Sequence, residues 1–214
     1  RLVDVNENKP TINLQSFKRN LDKNVKAVIV VHMNGRHNTD DLEEILKISR
    51  KVGIPIIEDA AQGLGCFVEL RTRHGLKKKP LGTLGDVGCF SLSTAKIVGA
   101  GQGGFCVTNN SALAKTLRLV RLHGCKDVFN ADWKHLGFNF RLTDFHASIA
   151  SYHLQNIERR KAAIKKIQLH YLKNLISKKV RSVELILNDF ECGEFGPYIE
   201  AVLTQSGSKV RNNF

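Results

Sequence analysis

The chain has 214 residues, 33 of them Lys or Arg and 20 Asp or Glu, for a formal charge of +13 at neutral pH. With 42% apolar residues it can bury the core of one large domain, or of one domain and part of another, which excludes intrinsic disorder. No apolar run approaches the ~20 residues of a membrane-spanning helix, and no charged start followed by an apolar stretch reads as a signal peptide. The chain opens on Arg1 and its only methionine is Met33, so a fragment is expected.

In chain order, residues 27–31 form an unalternating β-branched run, the pattern of a strand buried on both faces. Asn34-Gly35 marks a turn, and Asn38 or Thr39 then caps a helix with Asp40 and Asp41 in its first turn. Leu42, Ile45, Leu46 and Val52 share one helical face with the small Ser49, and Gly53 is the stop. Residues 54–57 are the next short strand, which completes a βαβ unit and implies a parallel sheet. Residues 63–88 read as loop, with a hairpin around 67–70, and two more strands follow at 88–92 and 104–108. The stretch between them is too glycine-rich for a helix. Leu113, Leu117 and Val120 mark an amphipathic helix over 111–122. Residues 125–141 are irregular and hold the only Trp, Trp133. Thr143 caps a long helical pattern that continues past Leu175, with a break near 159–161, and residues 181–204 begin a second unit.

Five cysteines, an odd number with no C-x-x-C pair, point to reduced thiols rather than a disulfide scaffold or a zinc site. Cys89 and Cys106 lie in apolar runs, where a thiol behaves as a small buried hydrophobe. No metal site is expected.

Three segments carry chemistry. Ile57-Glu58-Asp59-Ala60-Ala61-Gln62 puts two carboxylates at the C-terminal end of a parallel strand, where ligands of open α/β sheets bind. Successive strand residues point opposite ways, so one acid faces a site while the other faces away, or one simply caps a following helix. Residues 85–96 deliver the hydroxyls of Ser91, Ser93 and Thr94, and the amine of Lys96, into a loop suited to a phosphate and a Schiff base. Lys96 taken alone could equally be one of many surface lysines. Residues 99–104 hold four glycines in six positions, fitting close backbone approach or a plain turn, but match neither the P-loop nor the dinucleotide fingerprint.

Taken together, I-E-D-A-A-Q, G-D-x-G-C-F-S-x-x-x-x-K, G-A-G-x-G-G, R-L-H-G and G-F-N-F-R-L-T-D resemble the pyridoxal-phosphate-dependent sugar aminotransferases of the DegT/AHBA-synthase type, over about residues 3–175. The resemblance implies a fold type I large domain, a mostly parallel α/β sheet flanked by helices, truncated, with the start of a small C-terminal domain. The division is residues 1–142 for the partial large domain, 143–180 for a connecting helix and 181–214 for the start of the small domain. A strand is expected to enter at Val3–Val5. Lys96 matches the lysine that holds the cofactor, Asp59 the acid at its pyridinium nitrogen, Gln62 the amide near its phenolic oxygen and Ser91 a phosphate ligand. Asn139 matches an asparagine that reaches the partner subunit's cofactor phosphate, with Arg141 a weaker match. The implied reaction moves an amino group from an amino acid, usually glutamate, to a nucleotide-linked keto-sugar, in a cytoplasmic homodimer serving polysaccharide biosynthesis. The fragment by itself is expected to be inactive.

The chain departs from the family pattern at Thr94-Ala95, at Gln102 and at residues 32–36, which bears on substrate rather than reaction class. Relatives with histidine at the lysine position are sugar dehydratases, a reading that Lys96 disfavours. A basic nucleic-acid-binding module and an inactive or regulatory relative are the alternatives. The basic residues at 159–181 support the first, but no reader motif accompanies them, and they read mainly as a solvated face.

Overall fold

The computed structural model describes residues 1–7, 9–129, 135–177 and 183–203. Trp133, Lys178, Lys179, Arg181 and everything past residue 203 lie outside the described residues.

The expected entry strand at Val3–Val5 is present only as β1 (Val5–Asn6). It folds back antiparallel on β2 (Lys9–Ile12) rather than joining the central sheet. Helix α1 (Leu14–Asn20) follows, its start closed by the Asn13 side chain accepting from the Ser16 N–H. Next come β3 (Val28–Val31), a 3-10 turn (Met33–Gly35), α2 (Thr39–Val52) and β4 (Ile56–Asp59). This is the expected βαβ unit, with β3 and β4 parallel from Val28↔Ile56 to Val31↔Asp59. Asn38 is the cap of α2, accepting from the Asp41 N–H, and the left-handed Gly53 (φ 71°) ends it.

Leu42, Ile45, Leu46 and Ser49 bury as their spacing requires, but Val52 stays exposed in the last turn, where the helix leaves the sheet. The hairpin of β5 (Phe67–Thr72) and β6 (Gly75–Pro80) is longer than the sequence suggests, because residues 75–80 are lysine-rich and carry no apolar alternation. Strands β7 (Val87–Ser91) and β8 (Gly104–Val107) complete a mixed sheet of order β3-β4-β7-β8, its last pair antiparallel.

The core sits on one face of this sheet. Phe17, Val28, Val30, Leu42, Ile45, Leu46, Ile56, Cys66, Val68, Leu81 and Leu84 bury together there. The two-sided burial expected of residues 27–31 is not observed: Ile29 is 62% and Val31 44% exposed. Helix α2 covers one face, and among the described residues nothing covers the other to the same degree.

Helix α3 (Ser111–Arg121) is capped by Asn110 and has no fully buried residue. The long helical pattern is two helices: α4 (Asp144–Gln155), capped by Thr143, and α5 (Ile157–Ser177). The break falls at Asn156, three residues before the basic run where it was anticipated, and the Asn156 N–H closes α4 by bonding the carbonyls of His153 and Leu154. The antiparallel pair β9 (Val183–Ile186) and β10 (Glu200–Leu203) lies beyond.

The basic residues on α5 are mostly solvated, but Lys161 and Lys165 lie over the rings of Phe195 and Phe190, at 4.8 and 5.4 Å from the centroids. Their stems help to seat the 187–199 connection. Cys66 and Cys125 are buried, but Cys89 is only half-buried and Cys106 exposed, against the burial expected of both from their apolar runs, because they lie on the sheet face opposite the core.

Candidate active site

The strand end of β4 separates its two acids. Glu58 is fully buried and points into the 82–85 loop. Its Oε2 accepts from His32 Nε2 (2.8 Å) and the Gly82 N–H (2.8 Å), and its Oε1 from the N–H groups of Leu84 (2.6 Å) and Gly85 (2.7 Å). Burial pushes this carboxyl up, but His32 and the backbone donors outweigh it and hold it below the usual glutamate value. Gly82 must be glycine here: it has φ +83°, and a Cβ would collide with the Phe90 ring.

Asp59 takes the opposite side of the strand and is half-buried. Its Oδ1 accepts from the Ala61 N–H (3.1 Å), so the acid shapes a local turn and caps no helix. Parallel pairing sets Asp59 opposite Cys89 on β7, and Ser91 lies two residues further along the same strand face. Ser91 Oγ in turn accepts from the Ser93 N–H (3.2 Å).

Gln62 is placed by the turn after β3. Its Oε1 accepts from the Asn34 N–H (2.8 Å), which leaves its N–H₂ group as the remaining donor. Asn34 (φ 53°) and Gly35 (φ 68°) are both left-handed, and a Cβ on Gly35 would strike Cys66 Sγ.

Lys96 is half-buried on the loop between β7 and β8. The sequence makes that loop look loose, yet Leu92, Ile97, Val98 and Ala100 bury against Leu64, Ile149, Ala150, Ile157 and Ile164. The Ala100 N–H bonds the Leu92 carbonyl (2.7 Å), and His153 Nδ1–H donates to the Gly99 carbonyl (2.6 Å). The lysine thus stands on a packed base. Its Nζ lies 5.8 Å from the Tyr198 ring centroid, while the Tyr198 hydroxyl donates to the Ala95 carbonyl (3.4 Å).

Asn139 is exposed, bridged to Leu122 and accepting at Oδ1 from Arg141 Nε (2.8 Å). Its hydrogen-bonding partners are therefore at the two ends of the 122–142 segment and are none of the other four residues. Among the described residues, no group of three or more His, Cys, Asp or Glu is placed to hold a metal ion.

Sequence reasoning named Glu58 as one of two strand-end acids and residues 32–36 as a departure from the family pattern, but did not anticipate the buried bonding of Glu58, His32 and Arg36. Glu58 and His32 lock β4 to β3 and the 82–85 loop. Arg36 is fully buried. It donates to Glu200 Oε2 (2.7 Å) and to the carbonyls of Leu187 and Ile186 (2.5 Å each), with Glu194 at 3.6 Å. Lys9 shares Glu194 at 2.7 Å. No local pattern flags an arginine whose partners lie more than a hundred residues away. The available signal was its place directly after the strand-end turn.

His37, next to Arg36, is buried, with Nε2–H shared by the carbonyls of Phe67 and Cys192 at 3.1 Å each. Burial pulls its pKa below the usual histidine value, against the pull of the Cys192 carbonyl and Glu194. The unfolded chain therefore binds more protons below its ordinary pKa of about 6.5, and stability falls as pH drops through that value toward the folded one. In denaturant melts His37→Gln is expected to flatten the fall of stability as pH drops below about 6.5. An unchanged slope would assign the acid sensitivity elsewhere.

Three parallel strands closed by an antiparallel fourth make a mixed α/β sheet. Two solved structures share the fold. Aminotransferase TlmJ from Streptoalloteichus hindustanus has a TM-score of 0.80 at 23% identity, covering 99% of this chain and 54% of that one. An E. coli GDP-4-keto-6-deoxy-D-mannose-3-dehydratase with bound hydrated PLP has a TM-score of 0.76 at 21% identity, covering 99% and 55%. The chain belongs to the DegT/DnrJ/EryC1/StrS aminotransferase family, whose sequence model matches residues 1–189. GDP-perosamine synthase of Caulobacter vibrioides is 32% identical over 167 residues, 77% of this chain and 42% of that protein. The chain thus spans about half the length of the relatives it matches.

Proposed function

We propose that the chain is part of a pyridoxal-phosphate-dependent aminotransferase that moves an amino group from an amino acid, glutamate by family resemblance, to a nucleotide-linked keto-sugar. The observation that carries the reading is Lys96, half-buried on a packed loop at the end of β7, next to the strand that ends in Asp59. The residue types present fit the cofactor's chemistry: the carboxylate of Asp59 ends β4, the hydroxyl of Ser91 ends the neighbouring parallel strand β7, and the amine of Lys96 and a glycine-rich backbone follow on the loop after it. The sugar-processing names among relatives support the substrate class.

When bound, the cofactor supplies an electron sink for the carbon that loses or gains the amino group. Lys96 Nζ would hold it covalently at rest and, once released, carry a proton between substrate and cofactor as base and then acid. Asp59 would keep a proton on the ring nitrogen. Ser91 would bind the phosphate, and the N–H₂ group of Gln62 would donate to the phenolic oxygen. Asn139 stands apart from these four, which suits a role toward a partner subunit's site in a cytoplasmic homodimer. The division into a large domain to residue 142, a connecting helical segment and a small domain from 181 belongs to the same reading.

The test is to load the full-length protein with pyridoxal phosphate, reduce with borohydride and map the pyridoxyl group by mass spectrometry. Attachment at Lys96, absent in Lys96→Ala, is the expected result. Attachment elsewhere, or a label that survives Lys96→Ala, overturns the proposal.

A further inference from the structure

Cys89 on β7 and Cys106 on β8 are direct partners in the antiparallel register, with Sγ atoms 3.9 Å apart. Both are free thiols. Directly opposed residues on antiparallel strands have Cα atoms ~4.5 or ~5.5 Å apart, and disulfides bridge Cα separations of ~4.4–6.8 Å. The strands already stand at bridging distance. Side-chain rotation alone can bring the sulfurs to the ~2.05 Å of a bond. Cys106 is exposed and Cys89 half-buried, so a reagent meets Cys106 first.

We propose that Cys89 and Cys106 form a redox-active dithiol that reacts with small-molecule disulfides, such as glutathione disulfide, to close a cross-strand disulfide. The Cys106 thiol gives up its proton, and the thiolate attacks one sulfur of the small disulfide. That S–S bond breaks, and the departing thiolate takes up a proton. Cys89, deprotonated in turn, attacks Cys106 Sγ and expels the second small thiol, which is also protonated. Two protein thiols are oxidised by two electrons in all, and one small disulfide is reduced to two thiols. Burial and the adjacent Cys106 hold the Cys89 thiol up at about 11, consistent with Cys106 opening the exchange and Cys89 resolving it.

The bond would tie the edge strand to β7 beside Asp59, the backbone partner of Cys89 on β4, and two residues before Ser91. Oxidation would therefore fix the strand that borders the candidate site. This inference stands on the sheet register and does not depend on the cofactor reading.

The full-length native protein is treated with glutathione disulfide, its remaining thiols are alkylated, and a non-reducing digest is analysed by mass spectrometry. The expected result is a peptide pair joining Cys89 to Cys106, with Cys66 and Cys125 alkylated, and full return of both thiols on reduction with dithiothreitol. Cys89→Ser should instead leave glutathione on Cys106. The proposal is overturned if wild-type Cys106 accumulates a lasting glutathione adduct, if both thiols stay alkylatable, or if the cross-link forms only in denaturant. Mapping of the wild type decides the matter even if the variant does not fold.

Discussion

Glu58→Ala is expected to cost about 3–5 kcal/mol of stability, read as a fall in the urea midpoint. The substitution leaves the N–H groups of Gly82, Leu84 and Gly85 without their acceptor and His32 without its partner, all but Gly85 in buried positions. Each stranded buried donor costs roughly 1–3 kcal/mol, with the sum reduced by local relaxation. Since whole domains are stable by only about 5–15 kcal/mol, much of the margin goes with one carboxylate. Asp59→Asn, one residue on, should change stability by less than about 1 kcal/mol, because Asp59 is half-buried and its one backbone bond can be kept by the amide oxygen. Equal effects at the two positions would refute the division of labour between the paired acids. The pH dependence has a fixed sign. The folded-state pKa of Glu58 lies below its unfolded value, so its contribution is complete above about pH 4.5 and is lost as pH falls through the folded value. Glu58→Gln should therefore shallow the acid limb of the melt.

Arg36→Met is the second large effect, also about 3–5 kcal/mol, because it strips a fully buried cation from Glu200, Glu194 and two carbonyls. Lys9 keeps part of the compensation for Glu194, but Glu200 and the carbonyls of Ile186 and Leu187 lose theirs. The local signature is amide exchange: residues 186–200 should lose protection while β3 and β4 keep theirs. Uniform loss across the chain would mean that Arg36 supports the whole fold rather than this docking. Combining Arg36→Met with Glu200→Leu should cost less than the sum of the two, since each variant alone strands the other's charge.

Much of the βαβ unit was legible because its signals are local. The Asn38 cap, the acidic first turn and the Gly53 stop sit where spacing puts them. The candidate site rests on a different kind of signal: Asp59, Gln62, Ser91 and Lys96 lie in short motifs whose order and spacing carry the family resemblance. What escaped was long-range. Whether Ile29 and Val31 are covered depends on which elements lie over that face, and the rank of residues 97–100 as core depends on α4 and α5 packing on them. Glycine richness argued for a loose turn there, and tertiary packing overrode it. The buried charges of Arg36 and Glu194 violate the rule that such groups stay outside, and only their distant partners make that tolerable.

The Arg36 contacts also set an order of assembly. Its hydrogen-bond partners follow it by 150 to 164 residues. At a synthesis rate of roughly 5–20 residues per second, the turn after β3 leaves the ribosome on the order of 10–30 s before its counter-charge. Throughout that interval burying the guanidinium would strand a cation, so the turn stays hydrated while the β3–α2–β4 core forms beneath it. The same turn holds Gln62 through Asn34. The turn that positions Gln62 therefore gains its buried counter-charges only once residues 186–200, far along the chain, have been made.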